Sequence, residues 1–564
     1  MTCRVDLHVH SKFSDRPSEW FLRRIGAPEC FVEPQHIYDF ALQRGMKFVT
    51  VSDHNCIDGA LEIAHLPGTF ISNETTVYFP EDGCKIHCLV TGITPEQFKV
   101  IQEVRENIYD FRKYLLDEDI IYSVAHPLFR VNNRLTIEHV EKLLLMFNRF
   151  EGLNGARDPR ASDLVNAIFR NLTPEIMEQL ANRHDIEPIG PTPWSKTFTG
   201  GSDDHSGVYI SSAYTATPDA ETVDEFLAHL RRGDHEMGGE SGTSLQMAHS
   251  FYHIAYQYYQ DKFAGSSSKN NIVAEMFKKL LADAEPAKPQ PRGVKGWMRG
   301  QVVKVVRRRR KKNLGEVERV LVDEFTRLFN EADHRAAGDG VSPVGDRRTF
   351  HLACRISHLL TYTFADTFVK YARDGRMIES LQTIASLGPV ALSIAPYLTA
   401  FSTQHKDERF LQAVANKFER GHDMKVKSDR RAWLTDTLVD VNGVSRTIRT
   451  LSQIAKQQGR PLNVVTSLQN PPKLDLELKN FEPIGTFPLP EYESQQIAFP
   501  PFLEVIEYPE RNRFAEVILS TPGPMGLVGL LAARFLRLRT AAIYHTDFPQ
   551  YVRQLTGDLN LESM

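Results

Sequence analysis

Residues 3–11, Cys3-Arg4-Val5-Asp6-Leu7-His8-Val9-His10-Ser11, alternate apolar and polar side chains and close on two histidines. Alternation over residues 3–9 predicts a β-strand, and its period of two puts His8 and His10 on one face. A lone His-x-His pair is weak evidence, but similar strand ends recur downstream. Strands predicted over 47–52, 69–72, 86–91, 120–125, 149–153 and 197–201 alternate with helical patterns over 34–44, 95–116, 137–146 and 161–169. Asp53 and His54 end the second strand, Glu74 the third, and His126, before Pro127, the fifth. His87 sits on the fourth strand, Asp15 lies five residues after His10, and the last strand runs into Gly200-Gly201-Ser202-Asp203-Asp204-His205. Seven βα units predict an α/β fold closing into a barrel, whose strand ends converge on one mouth. Imidazole and carboxylate gathered there suit zinc, manganese or iron.

The chain has 564 residues, so at roughly 150 residues per domain it has room for three or four. Hydrophobic content of 41% and charged content of 24% exclude a mainly disordered or disulfide-stapled chain. With 67 Lys and Arg against 71 Asp and Glu, the net charge of −4 speaks against attraction of the whole molecule to nucleic acid. Six cysteines without a C-x-x-C spacing, and no apolar leader core over residues 1–15, predict a reduced, cytoplasmic protein. Cys84 and Cys88 read as small buried hydrophobes rather than ligands.

The quoted histidines and carboxylates resemble the polymerase and histidinol phosphatase (PHP) superfamily of metal-dependent phosphoesterases over residues 1–240. The pattern here is Asp6-Leu7-His8-Val9-His10-Ser11, Ser52-Asp53-His54-Asn55, Glu74, His87, Ala125-His126-Pro127 and Ser202-Asp203-Asp204-His205. The resemblance implies a distorted (βα)7 barrel and two or three divalent ions of zinc, manganese or iron. By that pattern His8, His10, Glu74 and Asp203 hold one ion. Glu74 bridges to a second with His87 and His126, while Asp15, His54 and His205 hold a third. Asp53 is expected to orient His54, and Asp204 to face solvent. Clustered divalent ions neutralise anionic phosphoryl oxygens and lower the pKa of bound water from 15.7 toward ~7, so a metal-bound hydroxide is the expected nucleophile on a small-molecule phosphoester. Glu74, His126 and His205 are the candidate catalytic residues, the two histidines as candidate acids if unligated. Arg23, Arg24, Arg130, Arg134 and Arg157 are candidates for phosphate, though solvated surface explains each alone.

From 241 to 425 the pattern is helical, a connector with an aromatic helix over 247–263 and a Pro-rich stretch at 285–291. Its basic run, residues 307–312 within 295–312, is read as a solvated tether or as a contact with an anionic membrane surface on the inner face. Residues 387–401 are apolar but too short, with two prolines, to span a bilayer.

From 430 to 564 strand and helix patterns alternate again. Thr435-Asp436-Thr437, Asn442-Gly443-Val444-Ser445, residues 520–526 and Tyr544-His545-Thr546-Asp547 look like the acceptor-side half of GT-B retaining glycosyltransferases. That resemblance implies a Rossmann-like half-domain, with Gly443 near donor phosphates and His545 near sugar or acceptor. A GT-B enzyme also needs a donor-binding domain, so the resemblance leaves three readings: the rest lies on a separate chain, the sequence is shortened, or the half-domain is a docking remnant. Three functions follow from these residues: a phosphoesterase, a glycosyltransferase completed in trans, and a scaffold with structural metals.

Overall fold

The computed structural model describes residues 2–15, 20–263, 346–355, 357–358, 361–362, 388–418, 429–489 and 492–543. The segments 285–291 and 295–312 and His545 lie outside the described residues. The chain divides into two compact units, Met1–Phe350 with Ala395–Val426, and His351–Ile394 with Lys427–Met564. The fold is mixed α/β.

In the first unit β1 (Cys3–Val5) pairs antiparallel with β7 (Ala213–Thr217), which pairs with β8 (Glu236–Gly239). A five-stranded sheet runs in the order β2 (Ser72–Phe79), β3 (Cys84–Thr91), β4 (Ile121–Val124), β5 (Arg149–Asn154) and β6 (Thr197–Gly201). Alternating βα units would be parallel throughout, but β2, β3 and β4 pair antiparallel. The cause is local: β2 and β3 are joined by a tight turn at Gly83 (φ 69°), far too short for a crossover helix. β4, β5 and β6 are parallel, as the alternation requires.

Residues 47–52, expected as a strand, form only an isolated parallel bridge, Val49 with Thr69, and scattered hydrogen bonds to both neighbours. Lys47 N donates to Arg4 O and Ser52 N to Val9 O on one side, and Val49 N to Gly68 O on the other. After β6, Asp203 N donates to His8 O (2.6 Å) and His10 N to Asp204 O (3.1 Å). Backbone pairing therefore continues past the strands into the segments that carry the histidines. The helical pattern over 95–116 resolves into Pro95–Val104 and Ile108–Asp117, because the Asn107 side chain accepts from Tyr109 N and starts a new helix. The core behind the strand ends is packed by Phe79, Phe111, Phe147, Phe150 and Phe169, all buried.

In the second unit five parallel strands run in the order β11 (Leu478–Asn480), β10 (Leu462–Thr466), β9 (Arg431–Leu434), β14 (Glu516–Leu519) and β15 (Arg539–Ala542). Between β11 and β14, β12 (Gly485–Leu489) and β13 (Tyr492–Phe499) form a separate hairpin. Chain order reverses between β9 and β14, and Asp436 bridges that point. Its carboxylate accepts from Thr521 Oγ1 (2.6 Å) and from the N–H groups of Met525 (2.8 Å) and Gly526 (3.4 Å), at the start of the helix Pro524–Phe535. A carboxylate at a helix N-terminus satisfies orphan donors and opposes the helix dipole. Asp436→Ala is therefore expected to destabilise this unit by about 1–3 kcal/mol, read from its denaturation midpoint; an unchanged midpoint would dismiss the brace.

The apolar stretch near residue 390 lies in the helix Gly388–His405, with Pro396 inside it. Among the described residues no helix is long and apolar enough to cross a membrane.

Candidate metal centre

The strand ends of the first unit bring six histidines and two carboxylates together around Glu74. Oε1 of Glu74 lies 2.8 Å from His87 Nδ1 and 3.2 Å from His126 Nε2. Its Oε2 lies 2.8 Å from His54 Nδ1 and 3.3 Å from Nε2 of both His8 and His10. Asp203 Oδ1 stands 3.4 Å from the same two Nε2 atoms. His205 joins from the far side, its ring centroid 4.0 Å from that of His10. Four groups can each offer three donor atoms to one ion: His8–His10–Asp203, His8–Glu74–His126, His54–Glu74–His87 and His10–His54–His205.

Outer hydrogen bonds set which nitrogen faces inward. His8 Nδ1 donates to Glu151 Oε1 (2.8 Å), which turns Nε2 toward Glu74. Ser14 Oγ donates to Asp53 Oδ1 (2.9 Å), so it accepts from His10 Nδ1 (3.1 Å), and His10 Nε2 also points in as a lone pair. His205 Nδ1 donates to the Asp203 carbonyl (3.0 Å), with the same result for its Nε2. Partners of this kind fix tautomer and ring orientation in metal sites. Nε2 of His8, His10 and His205 are buried without a hydrogen-bond partner, while Oε2 of Glu74 has His54 Nδ1 at 2.8 Å. Buried polar atoms are nearly always satisfied, so three orphans at one point beside two carboxylates are a donor set that fits a cation.

The charges agree. Burial alone would push the Glu74 carboxyl up, but His87, His54 and His8 reverse it and hold it well below the usual range. Asp203, likewise buried, is held down by His8 and Arg157. Burial and the neighbouring His205 and His54 keep His10 well below its ordinary value, so it stays neutral. Burial also opposes charge on His54, yet Glu74 and Glu29 raise it to about 9. Two ionised buried carboxylates demand positive charge nearby, and protonated histidines supply it in the absence of an ion. Two positions in the cluster also carry strained backbone, His126 at φ 29° and Asp203 at φ 51°, as functional sites often do.

Three expected roles change. Asp15 is exposed and lies in none of the four groups. The carboxylate near His54 is Glu29, buried, with Oε2 3.8 Å from His54 Nε2. Asp53 does not hold the His54 ring; it accepts from Ser11 N (2.7 Å), Ser11 Oγ (2.6 Å) and Ser14 Oγ. Asp204 is buried rather than solvated, accepting from Ser206 Oγ (2.7 Å) and Gly207 N (2.7 Å) to shape the turn after His205. Of the arginines, Arg157 reaches the cluster, its Nε donating to Asp203 Oδ2 (3.1 Å). Arg23 and Arg24 are exposed. Cys84 and Cys88 are buried on β3 and belong to none of the groups. Gly443, in the second unit, begins the helix Gly443–Gln457 with open space around its Cα.

Glu151, like Glu29 and Ser14, was passed over in the sequence: its Oε1 holds His8, and its Oε2 accepts from His126 N (2.8 Å) and Asn154 Nδ2 (2.9 Å). A carboxylate inside the apolar strand Arg-Phe-Glu-Gly-Leu-Asn was its only signal.

No family model matches the chain. A stretch of 67 residues, 12% of the chain, is 34% identical to an uncharacterized protein of Methanocaldococcus jannaschii. The chain spans 37% of that relative's length. Among solved structures it is similar to a candidate metal-dependent phosphoesterase of Bifidobacterium adolescentis, at 16% identity and a TM-score of 0.20, over 40% of this chain and 96% of that one.

Proposed function

We propose that this chain is a metal-dependent phosphoesterase that hydrolyses a phosphomonoester or phosphodiester at the Glu74 cluster. The observation that carries the reading is the set of three buried ring nitrogens without a hydrogen-bond partner, Nε2 of His8, His10 and His205, gathered beside the Glu74 and Asp203 carboxylates. About two or three zinc, manganese or iron ions bound there would neutralise phosphoryl oxygens and make a water acidic enough to ionise near neutral pH. The chain's own part is positional. Glu74 presents both oxygens to the centre, one toward His87 and His126, the other toward His8, His10 and His54. Glu151 and Ser14 keep the rings of His8 and His10 turned inward. His10, His54 and His205 take Glu29 as their carboxylate in place of Asp15. Arg157 holds Asp203 in its ionised form at the rim. In the same reading the backbone pairs at Ser52–Val9 and Asp203–His8 close the first unit into a distorted barrel, and residues 430–564 are a GT-B-type half-domain.

The test uses the full chain, stripped and reloaded with manganese or zinc. Turnover of p-nitrophenyl phosphate that requires metal, disappears on chelation and returns on reloading is expected. Elemental analysis should show Glu29→Gln losing about one ion per chain while Asp15→Asn keeps the full complement. Turnover that survives exhaustive chelation would refute the reading, and equal metal loss in both variants would return the carboxylate role to Asp15.

A further inference from the structure

On its His205 side the metal centre opens into a cleft of about 590 Å3, counted out to its open mouth. Asp203, His205, Glu29 and Arg157 line one part of it. Much of the remainder comes from one side of the helix Ser244–Phe263, in the same unit. Met247, Ser250, Phe251 and Ile254 recur there at spacings of three and four, so they stack along a single face. The opposite face is packed: His249 Nε2 lies 3.0 Å from the Tyr397 hydroxyl, and the Tyr252 ring 5.6 Å from the Tyr397 ring. The helix also begins hard against the loop that carries Arg157. Gly242 N donates to Asn154 O (3.3 Å), and a Cβ on Gly242 would lie 2.5 Å from the Ala156 carbonyl carbon. The face that meets the cleft is therefore fixed in place beside the metal centre.

Polar residues line this cleft too, but their polar atoms are engaged elsewhere. Ser202 Oγ donates to Asp6 Oδ2 (2.5 Å), and the Asp204 carboxylate accepts from Ser206 Oγ (2.7 Å) and Gly207 N (2.7 Å). The Tyr209 hydroxyl donates to Asp346 Oδ1 (2.6 Å), and Gln246 Oε1 accepts from Thr243 N (2.9 Å). Away from the metal ligands the wall is apolar: Leu22, Ala156, Met247, Phe251 and Ile254, with the half-buried Ser250 among them. Its one cation, Arg157, faces Asp203. The cleft thus joins an end suited to an anionic phosphoryl group to an end that gains by leaving water. A charged alcohol would lose hydration against that wall without finding a partner.

We infer that the Met247–Ile254 face of this helix is the alcohol-side wall of the phosphoester site, and that the substrate is a monoester of an uncharged, apolar alcohol. This inference rests on the phosphoesterase reading and narrows its substrate class.

Three phosphonates, whose C–P bond such a site leaves intact, separate the chemistries: n-hexylphosphonate, methylphosphonate and 6-aminohexylphosphonate. Calorimetry on the metal-replete full chain should show n-hexylphosphonate binding at least about tenfold more tightly than either of the others, since burying roughly two of its added methylenes gives that much. The preference should fall to about threefold or less in Phe251→Ala, which removes apolar contact. It should fall as far in Ser250→Asp, which sets a charge in the wall at a half-buried position and serves should the first variant not fold. Equal affinity for the hexyl and methyl ligands in the native chain, an aminohexyl ligand that binds as tightly as the hexyl one, or a preference that survives both substitutions would overturn the inference. Turnover of p-nitrophenyl phosphate is followed in parallel. If that ester is hydrolysed while the three ligands bind alike, the phosphoesterase reading stands and the wall falls. A hexyl preference in a chain that hydrolyses no ester would do the reverse.

Discussion

Glu74→Gln should abolish metal-dependent turnover and strip most of the bound metal, the largest effect expected of any single side chain. Both Glu74 oxygens are in use, one beside His87 and His126 and the other beside His8, His10 and His54. An amide keeps one oxygen as an acceptor and replaces the other with a donor. That NH2 would face the Nε2 atoms of His8 and His10, which their outer partners hold turned inward, where a ligand oxygen is needed. The substitution also removes the central negative charge, which the protonated histidines and any bound cation share. Loss of an outer partner costs about 10- to 100-fold in affinity or activity. A residue that serves several ligand groups at once should exceed that range, so a fall of roughly a thousandfold in kcat is expected. Elemental analysis and turnover on the same preparation decide the matter. Full metal content with near-native kcat would remove Glu74 from the centre of the site.

How much of this was legible beforehand depends on whether local pattern or tertiary packing sets the residue's role. His8 and His10 were legible because a strand's period of two fixes their shared face before any packing occurs. His54, Glu74, His126 and Asp203 were legible because each sits where an apolar run stops and a polar end begins. That Asp15 is exposed while Glu29 is buried near His54 was not, since nothing local distinguishes a carboxylate that will be buried from one that stays in water. Asp53 misled for a related reason. A carboxylate next to a histidine in sequence points to the opposite side of an extended chain, so it reached Ser11 and Ser14 instead of its neighbour's ring. The antiparallel β2–β3 pair was missed because strand alternation with helices elsewhere outweighed a four-residue turn. The contacts of Gln404, Lys406 and Asp407 with Ala156 and Arg130 could not be read at all, because helical periodicity does not say which distant loop a helix end will meet. In the second unit the apolar runs over 516–520 and 525–536 predict a strand and a helix, which form at Glu516–Leu519 and Pro524–Phe535, but a strand expected over 432–439 stops at Leu434 and the hairpin of β12 and β13 was not read.

Gly201→Ala should cost the first unit both stability and metal. Gly201 ends β6, and a Cβ there would lie 2.3 Å from His8 Cβ and 2.8 Å from His8 N. Neither neighbour can turn away, because both belong to a backbone pinned from two sides. Asp203 N donates to His8 O, while His8 N itself donates to the buried Asp6 carboxylate, which also takes Ser202 N (2.9 Å) and Ser211 N (2.7 Å). Relief therefore requires the segment carrying His8 and the strand ending at Gly201 to separate. Overpacking of this kind typically costs about 1–3 kcal/mol and more where backbone must move. The same displacement would carry His8 Nε2 away from Glu74 and Asp203, so stability and metal content should fall together. Gly443→Ala is the matched control: it sits at the start of a helix with nothing within 4 Å of the added carbon. There the exchange should be neutral or stabilising by up to about 1 kcal/mol. Thermal melts and elemental analysis of both variants give the comparison. If Gly201→Ala melts with the native protein and retains its metal, the close contact between these two segments is not what sets the geometry of the site.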